Sequence, residues 1–371
     1  PGGSSSGIGT SANLWAANVG TETSGSILWP SNQNMLVGIK PTVGRISRYG
    51  IIPITADQDT AGPMARNVTD ATILFGVLEN IEPDPNDPST GRCEPPTDGD
   101  YTTFLDADSL RGARIGIPRA GFVEPNTVVG TENPRGGISS SQFELFEEAI
   151  AILEERGATV IDPANLPTVL DPDPERNLFR WSICAGEDKT RGNDEDCSIV
   201  FKYGMKRDFN AWLESLGSIA PVSSLTELRE WNTKNALLGT IKYEQSLLDI
   251  SDEVDLDRDR ARYEADREKD IELAGTHGID AAIAEYDLDA LLFPMNRGSN
   301  VAARPGYPSV IVPFGMVGNQ PEPAFPEGFE ARPGPFGVSF TGLACSEPGL
   351  IGLAYAFEQA TQRRGAPSSA P

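Results

Sequence analysis

The sequence predicts an α/β fold in which a mixed sheet is flanked by helices on both sides. Short aliphatic runs typical of buried strands recur along the chain, at 113–118, 158–161, 288–294, 309–314 and 336–340. An amphipathic helix lies between the first two runs, and strand, helix and strand in succession form a right-handed parallel crossover. A second amphipathic helix follows the last run. Helices alternating with strands in this way are typical of an α/β protein.

The first 80 residues predict a continuous core. Apolar residues over 8–19 predict a buried helix, and 35–43 predicts a buried strand and turn. Residues 51–54 form a further apolar piece, and 69–78 carries apolar residues at helical spacing. We expect these elements to pack together around two Gly/Ser-rich loops.

The rest of the chain divides by composition, and we expect all of 1–371 to form one domain. A Pro-, Asp- and Gly-rich stretch predicts a surface excursion, the strand–helix–strand unit follows, a polar helical block predicts a peripheral layer, and the last part returns to the core. In the same order these segments are 81–108, 109–165, 175–287 and 288–371.

Polar residues at three helix starts predict caps. Ser141 with Glu144, and Ser224 with Glu227, have the spacing of a capping box. Ser346 stands before the last helix, predicted over 350–364, as an N-cap.

Charge and hydropathy limit the partners. The chain has 371 residues, 54 Asp plus Glu against 30 Lys plus Arg, and a formal net charge of −24. Such a surface repels phosphate backbones, so we expect no nucleic-acid partner. No apolar run approaches the length of a membrane span, so we expect no membrane partner either. We expect a soluble protein, cytoplasmic or secreted, and the sequence leaves its oligomeric state open.

The chain has four cysteines and no Cys-x-x-Cys spacing, which argues against a zinc site. We predict no metal and no cofactor, since no phosphate-binding Gly loop follows a strand either. Cys184 and Cys197 bracket a polar stretch. They either form a local disulfide, which would indicate an oxidising compartment, or stay two separate thiols, and the sequence leaves both open.

Two Gly/Ser loops near the start predict the site. They lie at 2–7 and 20–26, and each offers hydroxyls and unhindered backbone N–H groups. An acyl-transfer site needs an exposed nucleophilic Ser, a second hydroxyl to relay its proton, and several N–H groups turned toward one developing oxyanion. The alternative is a pair of flexible linkers, which the long aliphatic segment after the second loop disfavours.

Histidine gives little support to a Ser-His-Asp triad. The single histidine, His277, lies in a Gly-flanked turn after a run of charges, where we expect a surface side chain. A serine nucleophile without a histidine needs another base, for which a neutral Lys is the obvious candidate.

These loops and the segments after them resemble the amidase signature family. Within the family, the motif residues are most similar to those of peptide amidases and related bacterial or fungal amidases. The resemblance rests on five motifs, at 2–7, 20–27, 37–44, 47–53 and 58–66, and a weaker likeness continues to the C-terminus. It implies the amidase signature fold and hydrolysis of a linear amide C–N bond through an acyl-enzyme. The substrate would be a small-molecule or peptide amide.

The resemblance also implies roles for single residues. Ser26 is the expected nucleophile, and Ser4 is the expected bridge between nucleophile and base, at a position whose peptide is cis in the family. The backbone N–H groups of Thr23, Ser24, Gly25 and Ser26 are the expected oxyanion hole.

In the family the base of this Ser-Ser-Lys triad is a Lys well upstream of the Gly-Gly-Ser loop. Here only Pro1 precedes that loop. We therefore expect an N-terminally truncated chain that lacks its Lys and has little activity alone. Lys40, in the Lys-Pro-Thr segment, is expected to be structural.

Two alternatives stay open. One is an A-type protein of the glutamyl-tRNA amidotransferase, which belongs to the same family and would need partner subunits. The other is a non-catalytic remnant of the fold. It is favoured by the absent base, by a gap between the two loops two residues shorter than in the family, and by Leu28 where many members have Arg.

Overall fold

The computed structural model describes residues 3–79, 81–186, 192, 194–318, 326–328 and 332–367. Two expectations fall partly outside this range: Gly2 of the first loop, and the stretch between Cys184 and Cys197, of which 187–191 and 193 are not described. Within the described chain, ten strands are found: β1 Ala17–Glu22, β2 Val37–Lys40, β3 Thr60–Ala65, β4 Arg114–Gly116, β5 Thr159–Ile161, β6 Ser182–Ile183, β7 Cys197–Ser198, β8 Ala290–Pro294, β9 Ser309–Val317 and β10 Gly334–Thr341.

Eight of these strands form one mixed sheet, in the order β1-β3-β2-β9-β10-β8-β4-β5. β4 pairs in parallel with β5 and with β8, and the other neighbours in the sheet are antiparallel. The predicted parallel crossover is therefore confirmed. β6 and β7 form a separate two-stranded pair.

The helices lie on both faces of the sheet, as predicted. In the described chain they are α1 Gly7–Ser11, α2 Leu28–Gln33, α3 Val68–Leu78, α4 Ser140–Glu155, α5 Pro167–Leu170, α6 Val200–Leu216, α7 Leu225–Lys234, α8 Ser246–Asp252, α9 Arg260–Ile271, α10 Asp280–Tyr286, α11 Ser299–Ala303 and α12 Glu347–Thr361, with a π-helical segment Glu272–Ile279 between α9 and α10.

The two faces can be followed along β8, where side chains alternate because a strand has a period of two. Ala290 and Leu292 belong to a core cluster with α3, α4 and α12, which includes Phe75, Phe146 and Phe357. Leu291 and Phe293 belong to a second cluster, on the side of α10 and α11. A buried, unbroken apolar strand is what a sheet covered on both faces requires.

The N-terminal segment corrects the sequence prediction. A helix over 8–19 is wrong: α1 ends at Ser11, and Asn13 has φ of 60°. The chain then extends into β1, which pairs antiparallel with β3 from Ala17↔Ala65 to Glu22↔Thr60. This pairing outweighs local helix propensity, and its partner strand is distant in sequence, so the local pattern did not show it.

The predicted caps differ in detail. α4 has a capping box, but its members are Ser139 and Gln142, not Ser141 and Glu144. Ser224 accepts from the Glu227 N–H, whereas the Glu227 carboxylate accepts from the Ser223 N–H, so only half of that box forms.

The last helix begins earlier than predicted. It starts at Glu347, directly after Ser346, as expected of an N-cap position. The Ser346 hydroxyl nevertheless donates to the Leu343 carbonyl and does not cap the helix.

The stretch 81–108 is only partly the predicted surface excursion. Much of it is exposed, but Tyr101 is buried with its ring centroid 4.5 Å from that of Phe75. Cys93 forms a disulfide with Cys345, which ties the stretch to the loop before α12. No pattern in the sequence indicated this pair. Cys184 and Cys197 form the second disulfide, so of the two alternatives for these residues the bridge is the one observed.

Candidate active site

The expected nucleophile lies on a sharp turn between β1 and α2. Gly25 has φ of +124°, a backbone conformation that L side chains rarely adopt, and a Cβ there would lie 3.1 Å from the Ser299 Oγ. Ser26 follows, half-buried, and its hydroxyl makes no hydrogen bond with any residue that the structure describes. A tight turn that presents an unbonded hydroxyl is what a nucleophilic serine requires.

Ser4 lies directly beside Ser26. Its N–H donates to the Ser26 carbonyl at 2.8 Å. Its hydroxyl accepts from the Thr21 N–H at 3.0 Å and donates to the Thr21 carbonyl at 3.2 Å. The first loop therefore brings Ser4 next to the nucleophile, as expected, but the Ser4 hydroxyl is turned toward Thr21.

Glycines permit this close approach. A Cβ on Gly3 would lie 2.7 Å from the Ser26 carbonyl oxygen, and one on Gly20 would lie 2.6 Å from the Ser4 Oγ. The expected cis peptide at Ser4 is wrong for this structure, because within the described residues only the bond before Pro163 is cis.

The expected oxyanion donors lie in the same turn. Among described residues, no acceptor takes the N–H groups of Thr23, Ser24 or Ser26. The Gly25 N–H faces the carboxylate of Glu22. The backbone N–H groups of Thr23, Ser24 and Ser26 therefore have no partner among the described residues.

Glu22 stabilises the turn through hydrogen bonds to its backbone, a role that the sequence did not suggest. Its side chain is buried, and its Oε2 accepts from the N–H groups of Ile27 at 2.8 Å and Leu28 at 2.9 Å. Burial raises the pKa of Glu22, and the nearby Lys40 ammonium opposes that shift. The carboxylate fixes the backbone immediately after the nucleophile.

Lys40 lies in the core behind this turn. It is 1% exposed, and its Nζ donates to the Tyr307 carbonyl at 2.7 Å. Burial lowers its pKa to about 8, against the opposing effect of Glu22 and Glu347. A neutral amine is thus accessible near pH 8, but the amine is bonded to Tyr307 and makes no hydrogen bond with the described nucleophile turn.

Asp59 ties the turn to the next motif. The Thr23 hydroxyl donates to its Oδ1 at 2.5 Å, and the N–H groups of Ile54 and Thr55 donate to its Oδ2 at 2.8 and 2.9 Å. Burial raises the pKa of Asp59 to about 6, so the carboxylate is largely ionised at neutral pH. Thr23 and Asp59 lie in two of the five motifs, but nothing in the sequence indicated that they contact each other.

Ser4, Ser26 and Asp59 line one open cleft of about 440 Å³. Hydroxyls, glycines and three isoleucines form its walls: Gly3, Ser4, Ser5, Ser6, Val19, Gly20, Thr21, Thr23, Ser26, Ile51, Ile52, Ile54 and Asp59. His277 is exposed in the π-helical segment and lines a different cleft, with Lys269 and Glu175. The expectation that His277 is a surface residue is confirmed.

A mixed sheet covered on both faces, with a serine-bearing turn after its edge strand β1, defines an α/β protein. The family model described as Amidase matches residues 1–351. The chain therefore belongs to the amidase signature family, as the motifs indicated.

Relatives and solved structures agree with this placement. The chain is 32% identical over 373 residues to a protein named "Probable amidase" from Arabidopsis thaliana, covering 99% of this chain and 61% of that protein. The structure of native peptide amidase from Stenotrophomonas maltophilia superposes with a TM-score of 0.76 at 33% identity, covering 98% of this chain and 66% of that one.

An amidase family protein from Bacillus anthracis gives a TM-score of 0.74 at 28% identity, covering 99% of this chain and 62% of that one. The A-type component of glutamyl-tRNA(Gln) amidotransferase from Trichlorobacter lovleyi is 37% identical over 164 residues, covering 44% of this chain and 30% of that protein. The chain spans about 60% of the length of the curated amidases it matches.

No helix in the described part of the chain is both long enough and apolar enough to cross a membrane.

Proposed function

We propose that this chain carries the acyl-transfer site of an amidase that hydrolyses linear amides. Ser26 Oγ attacks the amide carbonyl carbon, and its proton passes through the Ser4 hydroxyl to a base. The C–N bond breaks as the departing amine takes that proton, and water then releases the acid from the acyl-enzyme. The observation that carries the proposal is the unbonded Ser26 hydroxyl in an open cleft of the described chain, on a turn whose Thr23, Ser24 and Ser26 backbone N–H groups have no described partner.

The amides of Thr23, Ser24 and Ser26 stabilise the oxyanion in this proposal. Removing one such donor from an acyl-transfer site typically costs roughly 10²–10³ in rate. Gly25 contributes through its backbone conformation, since its own N–H faces Glu22. In this proposal the Ser4 hydroxyl turns from Thr21 toward the Ser26 hydroxyl by rotation about χ1.

We propose that none of the described lysines near the core is the base. The described lysines near the core are held elsewhere: Lys40 donates to the Tyr307 carbonyl and Lys202 to the Glu253 carboxylate, each within 2.8 Å. An ammonium cannot accept a proton, so a Lys base must be buried enough for its pKa to fall. We expect residues 1–371 alone to release little or no ammonia from small amides or amidated peptides. Robust turnover that Ser26→Ala abolishes would place the base within these residues.

A fluorophosphonate probe tests the nucleophile directly. We would treat residues 1–371, and a longer form extended at the N-terminus, and map the adduct by mass spectrometry. The expected result is labelling of Ser26 in the longer form, lost in Ser26→Ala and retained in the neighbouring Ser6→Ala. Labelling of Ser4 or Ser5 with Ser26 untouched would refute the assignment. No labelling of any serine in the longer form would favour the non-catalytic remnant.

The second candidate is the A-type component of a tRNA-dependent amidotransferase. It is favoured by the 37% identity to the Trichlorobacter lovleyi protein, although that match covers only 44% of this chain. Hydrolysis of simple amides by the longer form without partner proteins supports the amidase, whereas activity only with added partners supports the amidotransferase component.

A further inference from the structure

A second cleft opens from the wall of the Ser26 cleft. It has a volume of about 400 Å³ and shares Ile51 and Asp59 with the first. Its apolar lining comes from Tyr49, Ile51, Pro53, Ala56, Ala211 and Trp212. We call this space the Ile51 bay, and we infer that it is the subsite for an apolar side chain of the amide substrate.

The charged groups Arg48, Asp87 and Asp208 of the bay are already paired with other protein groups. The Arg48 guanidinium is paired with Asp87 at 2.5 Å. The Asp208 carboxylate accepts from Arg207 at 2.6 Å and from the Ala56 N–H at 2.7 Å. A ligand in the bay therefore meets apolar surface and pairs of opposite charge, which suits a neutral group.

Asp59 lies at the junction of the two clefts. Its Oδ1 and Oδ2 are taken by the Thr23 hydroxyl and by the N–H groups of Ile54 and Thr55. Its negative charge at neutral pH repels a carboxylate that passes toward the bay. The substrate class is therefore a neutral amide with an aromatic or branched aliphatic group, and not an acidic one.

The bay is built from three parts of the chain that are distant in sequence. Residues 48–59 and 86–88 form part of its wall, and α6 forms the rest, with Trp212 stacked on Phe209 at 5.8 Å between ring centroids. Asp208 on α6 holds the Ala56 N–H, which keeps α6 and residues 48–59 together. The peripheral helical layer thus sets the size of a pocket next to the nucleophile.

The inference rests on the proposed amidase function, so the test measures binding apart from turnover. In the Ser26→Ala form of residues 1–371, saturation-transfer NMR titrations give the Kd values of N-acetylphenylalaninamide and N-acetylalaninamide. We expect the phenylalanine amide to bind at least tenfold more tightly than the alanine amide. One extra methylene in an apolar pocket already changes discrimination by roughly 10–200-fold. The α-amide of N-acetylaspartic acid, whose side-chain carboxylate is free, should bind more weakly than either.

A filling substitution locates the preference. Ala211→Trp, at an exposed position of α6, should weaken binding of the phenylalanine amide about tenfold and leave the alanine amide within twofold. Glu214→Trp is the matched control, because Glu214 is exposed on the same helix and is absent from the bay. Equal binding of the two neutral amides, no binding of either, or an equal effect of the two Trp substitutions overturns the subsite. Absence of Ser26 labelling in the experiment above would instead overturn the amidase proposal.

Discussion

Glu22 is the residue whose loss should most damage the nucleophile turn. Glu22→Ala removes the acceptor of two buried N–H groups, those of Ile27 and Leu28, which lie 2.8 and 2.9 Å from one carboxylate oxygen. A buried donor left without a partner costs about 1–3 kcal/mol, so the two together cost about 2–6 kcal/mol of unfolding free energy. Lys40 also loses the carboxylate that most raises its pKa, so that pKa falls further below its present value of about 8.

The isosteric change separates these effects. Glu22→Gln keeps one oxygen that can accept from both N–H groups, but it removes the charge and replaces the other oxygen with an NH2 group, so its cost should be lower than that of Glu22→Ala. We would measure urea unfolding at pH 7 by circular dichroism for both variants. Glu230→Ala, at an exposed position of α7, is the control and should stay within about 0.5 kcal/mol of the starting protein.

The same variants should differ in reactivity. If Glu22 fixes the turn, Glu22→Ala slows fluorophosphonate labelling of Ser26 in the longer form, while Glu22→Gln retains most of it. The reasoning about Glu22 is refuted if Glu22→Ala costs no more than Glu230→Ala, or if the Ala and Gln variants are equally destabilised.

Three further changes test the rest of the structure. His277→Ala should leave turnover by the longer form within a few-fold, measured with any amide it hydrolyses; a loss of about 10³ would restore a Ser-His mechanism for the site. Lys40 has a folded pKa of about 8 against 10.5 unfolded, so the unfolded state binds more protons between these values and stability rises with pH there. Lys40→Met should remove that rise, of at most about 3 kcal/mol, in urea titrations from pH 7.5 to 10, and a parallel pH dependence in both proteins would contradict it. Replacing both Cys93 and Cys345 with Ser should lower the unfolding free energy by about 2–5 kcal/mol. Reductant should then lower the thermal unfolding midpoint less than in the starting protein. Unchanged stability would mean that the bridge constrains the unfolded chain little.

The sequence predicted those elements whose signals are local. The helix around Phe146 has apolar residues at helical spacing and small polar residues before it, so α4 and its parallel strands were predictable. β1 was not, because Ala17–Glu22 is defined by pairing with Thr60–Ala65, and only the folded chain brings these segments together. The start of the α4 capping box was misplaced by two residues because several serines in a row offer equivalent local signals.

The residues of the candidate site also fall into those that the sequence predicted and those that only the folded structure shows. Ser26 and Ser4 were predicted from motif resemblance, and the structure brings them into contact through a backbone hydrogen bond. Glu22 and Asp59 were missed as supports, since their roles depend on burial and on N–H groups that no spacing rule indicates. The Cys93–Cys345 bridge was missed for a similar reason: its partners are 252 residues apart in sequence.

The strand order determines when the sheet can form while the chain is being synthesised on the ribosome. The hydroxyls, glycines and amides of the candidate site lie within residues 3–26, on the edge strand β1 and in the segments on either side of it. β2, which follows them, pairs with β9 through Gly38↔Ile311 and Lys40↔Ser309. β2 must therefore wait for about 270 more residues before its partner strand β9 is made, and a long-range pairing of this kind is slow and exposed to aggregation. A chain that terminates before β9 would contain every predicted catalytic serine and yet lack the strand that holds β2 in place.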